Sequence, residues 1–175
     1  MSFPSVIHTA MITGHRPELM TAEEIRWSKF AIGRTLDTLD KKYQTKVAIS
    51  GMARGADTWW ATYALDKGMS LHAYVPFKEQ AKGWSDKDFQ QWKNLLSASD
   101  KVEYVGDVKY DVRMLHARNR AMLNATKEEN GLVVALLKSD VNKGGTWSTF
   151  SQAQRMNLNL LVLDPVKREF IKHSR

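Results

Sequence analysis

Short apolar runs alternate along this chain with longer segments whose apolar residues recur every three or four positions. The short runs, at 6–12, 47–49, 71–77, 101–105, 132–137 and 160–163, read as strands, and the run at 132–137 reads as the most deeply buried. The longer segments, 21–39, 58–65, 88–98, 111–125 and 146–156, read as helices. Ile25, Ile32, Leu36 and Leu39 share one face of the first, and Thr21 with Glu24 three residues later makes a capping box at its start. Phe89, Trp92 and Leu96 line one side of the third helix. Val112, Leu115, Met122 and Leu123 form the buried stripe of the fourth, with Asn119 as its polar member, predicted to be buried and to need partners. Trp59 and Trp60 are expected to pack in the core or across a subunit interface. The polar connector at 78–87 is a place to expect a lid or a substrate contact. The basic tail, with Lys167, Arg168, Lys172 and Arg175, is expected to dock as a short helix or fray.

Strand and helix alternate from end to end. The pattern predicts an α/β fold, a Rossmann-like three-layer sandwich with a mostly parallel sheet and helices on both faces. One domain over 1–175 is expected. In such sheets ligands bind outside the carboxyl ends of the strands, near the point where the strand order reverses. Three strand-to-helix turns belong on that rim. The first, Thr13-Gly14-His15-Arg16-Pro17, has a glycine that permits a turn and a proline that holds Arg16 extended. The second is Ser50-Gly51-Met52-Ala53-Arg54-Gly55-Ala56-Asp57, and the third runs through Gly144-Gly145-Thr146. A glycine turn opening a helix collects backbone N–H groups and the positive helix end, which suits an anion. Gly51 and Gly55 let the backbone approach a ligand closely, and Arg54 between them has a planar fork suited to phosphate.

Composition narrows the picture modestly. The 175 residues carry a formal charge of +7 and 43% hydrophobic residues, enough for a sizeable core. The charge suits an anionic partner, although it is spread along the chain rather than gathered in a block. With no cysteine, disulfides, thiolate catalysis and Cys-based zinc sites are excluded. His8, His72, His116 and His173 share no metal-ligand spacing, so no metal and no cofactor is expected. No apolar run approaches the ~20 residues that span a bilayer, and the N-terminus lacks a signal pattern. A cytoplasmic location is the expectation.

The turns together resemble a known superfamily. The 50–57 stretch resembles the SGxARGxD signature of the DNA-processing protein A family, and Gly144-Gly145-Thr146 is similar to the phosphate-binding turn of the "lonely guy" phosphoribohydrolases. Both belong to the SLOG group of Rossmann-like proteins. Thr13–Pro17, Pro76-Phe77-Lys78-Glu79-Gln80 with Trp84, and Arg118-Asn119 with Met122 resemble the YpsA-like family within it, in order over residues 6 to 163. The resemblance implies a domain that binds a nucleotide or nucleotide-derived ligand, often as a homo-oligomer. The phosphoribohydrolase motif PGGxGTxxE ends in a catalytic glutamate, whereas this chain has no acidic residue from Gly144 through Gln152.

The expected ligand contacts are Thr13, Gly14, His15 and Arg16 from the first turn and Gly51, Arg54 and Gly55 from the second. Arg118, Asn119, Gly144, Gly145 and Thr146 complete the set. Asp57 and Glu79 are the candidate catalytic carboxylates, for an N-glycosidic cleavage that passes through an oxocarbenium-like sugar. Each has a plainer reading: Asp57 as a helix cap, Glu79 as a solvated loop residue, Arg54 as the partner of a surface carboxylate, His15 as an ordinary hydrogen-bonding group. Three functional readings follow. The protein binds a nucleotide and hydrolyses a nucleoside monophosphate, or senses a nucleotide signal without turnover, or binds single-stranded nucleic acid. The last lacks the alternating aromatic and basic residues of a stacking groove.

Overall fold

A computed structural model describes residues 2–173. The chain forms β1 (Thr9–Gly14), α1 (Ala22–Tyr43), β2 (Val47–Ser50), α2 (Ala56–Asp66), β3 (Ser70–Val75), α3 (Asp86–Ala98) and β4 (Lys101–Tyr104). It continues through α4 (Val112–Glu128), β5 (Leu132–Leu136), α5 (Gly145–Arg155), β6 (Asn159–Asp164) and β7 (Glu169–His173). One seven-stranded sheet has the order β4-β3-β2-β1-β5-β6-β7, parallel except for the antiparallel β6–β7 pair.

The first four strands step outward in sequence, and β5 then returns to the far side of β1. Right-handed crossovers in opposite directions place helices on opposite faces. Accordingly α1, α2 and α3 cover one face, through clusters that include Ile12, Ile32, Leu36 and Trp60, and Leu71, Val75 and Trp92. Helices α4 and α5 cover the other, through Met11, Leu123, Val133 and Phe150. Burial on both faces explains the unbroken apolar runs of β5 and β6. It is worth about 1.5–3 kcal/mol for each large apolar side chain. Trp60 is fully buried and Trp59 packs against the same core.

The capping box forms as read. Thr21 Oγ1 accepts the Glu24 N–H at 3.1 Å, and Glu24 Oε2 accepts the Thr21 N–H at 3.0 Å. Other expectations need correction. The tail is a strand rather than a short helix or a frayed end. After β6, Asp164 Oδ1 accepts the Val166 N–H at 2.9 Å and starts the turn that returns β7 along the sheet edge. Arg175 lies outside the described residues. The 78–87 connector is tied down: Lys78 and Glu79 donate backbone N–H groups to Asp107 and Val108 carbonyls, and α3 already begins at Asp86. Asn119 is only half-buried, whereas its neighbour Arg118 is buried.

Candidate functional site

The strand order reverses between β1 and β5, and a cleft of about 680 Å³ opens over their carboxyl ends. Thr13 to Arg16 line it, as do Gly144, Gly145 and Thr146. Val112, Leu115 and Asn119 of α4 line it too, together with Asp57 and Arg118. The cleft thus gathers Thr13, Gly14, His15, Arg16, Asp57, Arg118, Asn119 and the third glycine turn. Gly51, Arg54, Gly55 and Glu79 do not line it.

His15 is 3% exposed, and its Nε2 accepts the Lys138 N–H at 3.1 Å, linking the end of β1 to the segment after β5. Burial, with Lys138 nearby, lowers its pKa and keeps the ring neutral, as an acceptor requires. His15 therefore ties the switch point together. The Lys138 ammonium reaches across the same seam to the Leu19 carbonyl at 3.0 Å and to Glu24 at 3.3 Å.

The second turn is closed on itself. Ser50 Oγ donates to the Asp57 carbonyl at 2.8 Å, and Asp57 Oδ2 accepts the Ala53 N–H at 3.2 Å. Gly55, not Asp57, occupies the N-cap of α2. It takes φ 89° and ψ −127°, and a Cβ there would stand 2.7 Å from the His15 carbonyl oxygen. A Cβ on Gly51 would stand 2.6 Å from Arg118 Nη1. These glycines make room for the protein's own turns rather than for a ligand. Arg54 does not line the cleft; it pairs with Glu18 of the turn after β1 and with Asp88 of α3, the latter at 3.2 Å.

Arg118 is 6% exposed. Its Nη1 donates to the Gly51 carbonyl and its Nε to Asn119 Oδ1 at 2.8 Å, which orients a buried cation at the cleft. The Gly51 carbonyl also accepts from Gln80 Nε2 at 2.9 Å, and Gln80 Oε1 accepts the Trp92 indole N–H at 2.9 Å. Gln80 is thus an anchor. Asp57, 7% exposed, has its pKa pushed up to about 6 by burial, against the pull of Arg118, the Ala53 N–H and Arg16. Burial acts on Arg118 in the matching sense, lowering its pKa while Asp57 raises it.

The third turn is open. Gly144 has φ 93° and ψ −178° as N-cap of α5, and no side chain caps that helix. A Cβ on either Gly144 or Gly145 would meet nothing within 4 Å. The first N–H groups of α5 have no intrahelical partner, and Gly144, Gly145 and Thr146 at that helix start line the cleft. Lys143 and His116, absent from the sequence-derived set, line the same space. Lys143 directly precedes the glycines, so its position beside the turn was the signal. Val112, assigned to the buried stripe, is 52% exposed and forms cleft wall. A second chamber of about 250 Å³ adjoins the cleft, sharing Arg16, Ala53, Leu115 and Arg118 with it, and Glu79 lines this chamber.

A Rossmann-like α/β protein with its cleft at the switch point is the class that this fold defines. The family model for YpsA, described as the YspA SLOG family, matches residues 10–159, and the chain belongs to that family. The fold is similar to that of DNA processing protein A from Helicobacter pylori, with a TM-score of 0.62 and 18% identity over 93% of this chain and 71% of the other. That structure concerns the protein's single-stranded DNA binding mode. The Streptococcus pneumoniae protein of the same name gives a TM-score of 0.52 at 18% identity, covering 95% of this chain. This chain spans 63% of the length of that pneumococcal chain. A search of the curated proteins returned no match. Among the described residues no helix is long and apolar enough to cross a membrane.

Proposed function

We propose that this single domain binds a nucleotide or nucleotide-derived ligand in the switch-point cleft, with a phosphate on the first N–H groups of α5. The observation that carries this reading is the Gly144–Gly145 turn, uncapped, free of side chains and facing a cleft that also holds Arg16 and the buried Arg118. The α4 wall of Val112 and Leu115 offers an apolar rest for sugar and base. Membership in a SLOG family agrees with a nucleotide-related ligand. Isothermal titration of a nucleoside monophosphate against the matching nucleoside tests it. Binding of the phosphorylated form alone, or much more tightly, is expected; equal affinities would remove the phosphate from the argument.

A second reading, hydrolysis of the N-glycosidic bond, rests on Asp57. Its carboxylate, largely ionised above pH 6, faces the cleft beside Arg118 and would stabilise positive charge on the sugar. Water oxygen would bond to C1′ as the C1′–N bond breaks, the electron pair leaving with the base, which takes up a proton. Release of free base from a nucleoside monophosphate panel supports turnover. Ligand recovered intact after hours makes the protein a sensor. Homo-oligomer formation belongs to the same proposal and is read by light scattering with and without ligand. Single-stranded DNA, the ligand class of the Helicobacter protein, would show itself by affinity that falls steeply with salt.

A further inference from the structure

The adjoining chamber has a different chemistry from the cleft. Phe77 and Tyr110 meet there edge to face with ring centroids 5.3 Å apart, and Trp84 lines it as well. Tyr110 is 69% exposed, so most of its ring remains open to a ligand. At the junction of the two spaces stand Arg16 and Arg118. Arg16 is exposed and, unlike Arg54, has no ion pair among the described residues. Arg118 is held by a carbonyl and an amide oxygen, and Asp57 is the carboxylate acting on it.

From the turn after β5 to the residues after β3, the rim crosses β1 and β2, three strand spacings or roughly 14 Å. That exceeds the reach from phosphorus to base in a single nucleotide. The order along the rim is an anion site at the start of α5, a pair of guanidinium groups, then an aromatic chamber.

We infer that the ligand has two nucleotide-sized units joined through phosphate, the second lying across Arg16 and Arg118 with its planar base against Tyr110. This rests on the phosphate site proposed at α5 and extends it. The guanidinium pair matches a bridging phosphate, and an exposed ring edge-packed on Phe77 offers a face for a base. A pyrophosphate bridge and a phosphodiester bridge share this chemistry.

Titrations with AMP, ADP-ribose, diadenosine diphosphate and the dinucleotide pApA test the inference, on wild type and on Tyr110→Ala and Tyr110→Phe. The two base-bearing two-unit ligands should bind about tenfold or more tightly than AMP, and Tyr110→Ala should erase most of that gain without changing AMP affinity. Tyr110→Phe should retain it. The bridge is assigned to whichever of diadenosine diphosphate and pApA binds more tightly, and ADP-ribose, which lacks a second base, should show little response to Tyr110→Ala. Equal affinity for AMP and both dinucleotides overturns the inference and leaves the α5 site standing. Equal loss of AMP and dinucleotide in Tyr110→Ala also overturns it, by placing the first base in the chamber. If Gly145→Glu spares every ligand, the α5 phosphate site itself fails. A 20-residue single strand that binds more tightly than either dinucleotide, with steep salt dependence, replaces the small ligand by nucleic acid.

Discussion

The turns after β2 and after β5 are built from the same parts: a buried parallel strand, two glycines and the start of a helix. In the first, the turn is packed and bonded against the protein itself. Gly51 and Gly55 leave just enough space for Arg118 and for the His15–Pro17 backbone, and Asp57 and Ser50 bond the turn from within. In the second, Gly144 and Gly145 face open space and the helix start has no cap. A glycine-rich turn thus has two uses that the glycines do not distinguish. One removes Cβ atoms so that protein fits against protein, and the other so that backbone N–H groups reach something else. The closed turn holds Arg118 and Asp57 in place, and the open turn completes the cleft they face.

The sharpest break of this contrast is Gly55→Ala. The backbone at φ 89° is hostile to a Cβ, and that Cβ would overlap the His15 carbonyl. A loss of about 3 kcal/mol or more is expected in urea unfolding, from strain and overlap together. An unchanged midpoint would show that the closed turn is not close-packed.

Asp57 is the next test. Folding raises its pKa from an ordinary 3.8 to about 6, so the folded state keeps the proton longer. The Asp57 contribution to stability is then fully present below the lower value and is lost as pH rises through the higher one, by about 3 kcal/mol in total. Asp57→Asn, which mimics the protonated form, should be more stable than wild type at pH 8 and equal to it near pH 4. His15, whose pKa is lowered, contributes the opposite slope around its ordinary value of 6.5. The difference between wild type and variant unfolding curves cancels that contribution.

At the open turn, Gly145→Glu should leave stability within about 0.5 kcal/mol, since nothing crowds the site and an acid suits a helix start. The same change should weaken a nucleoside monophosphate about tenfold or more by titration, because a carboxylate then occupies the anion's place. Arg54→Ala, the smallest effect, should cost about 0.2–1 kcal/mol through its half-exposed pairs with Glu18 and Asp88. It should leave ligand affinity unchanged. A large affinity loss in Arg54→Ala would return that arginine to the site and dissolve the distinction between the two turns.

The strand-to-helix rhythm, the capping box at Thr21 and the shared rim of three turns were all legible along the chain. They depend on local periodicity and on the rule that parallel strands end on one edge. β7 was not, because five residues with mixed polarity become a strand only when β6 offers an edge to pair with. Nor was the fate of Val112, since an apolar helix position reads alike whether it meets core or lines a cleft.

The sequence alone determined that this is a layered α/β protein with glycine turns on one rim and a net positive charge spread along the chain, since these follow from backbone preference and residue chemistry. Only the tertiary structure decided which arginine enters the cleft. Arg54 and Arg118 are equally able to grip an anion, but Glu18 and Asp88 reach the first, while the second is buried against the Gly51 carbonyl and faces the open space. Which neighbours a charged group meets depends on contacts between residues far apart in the chain, and those exist only once the sheet has brought its turns together.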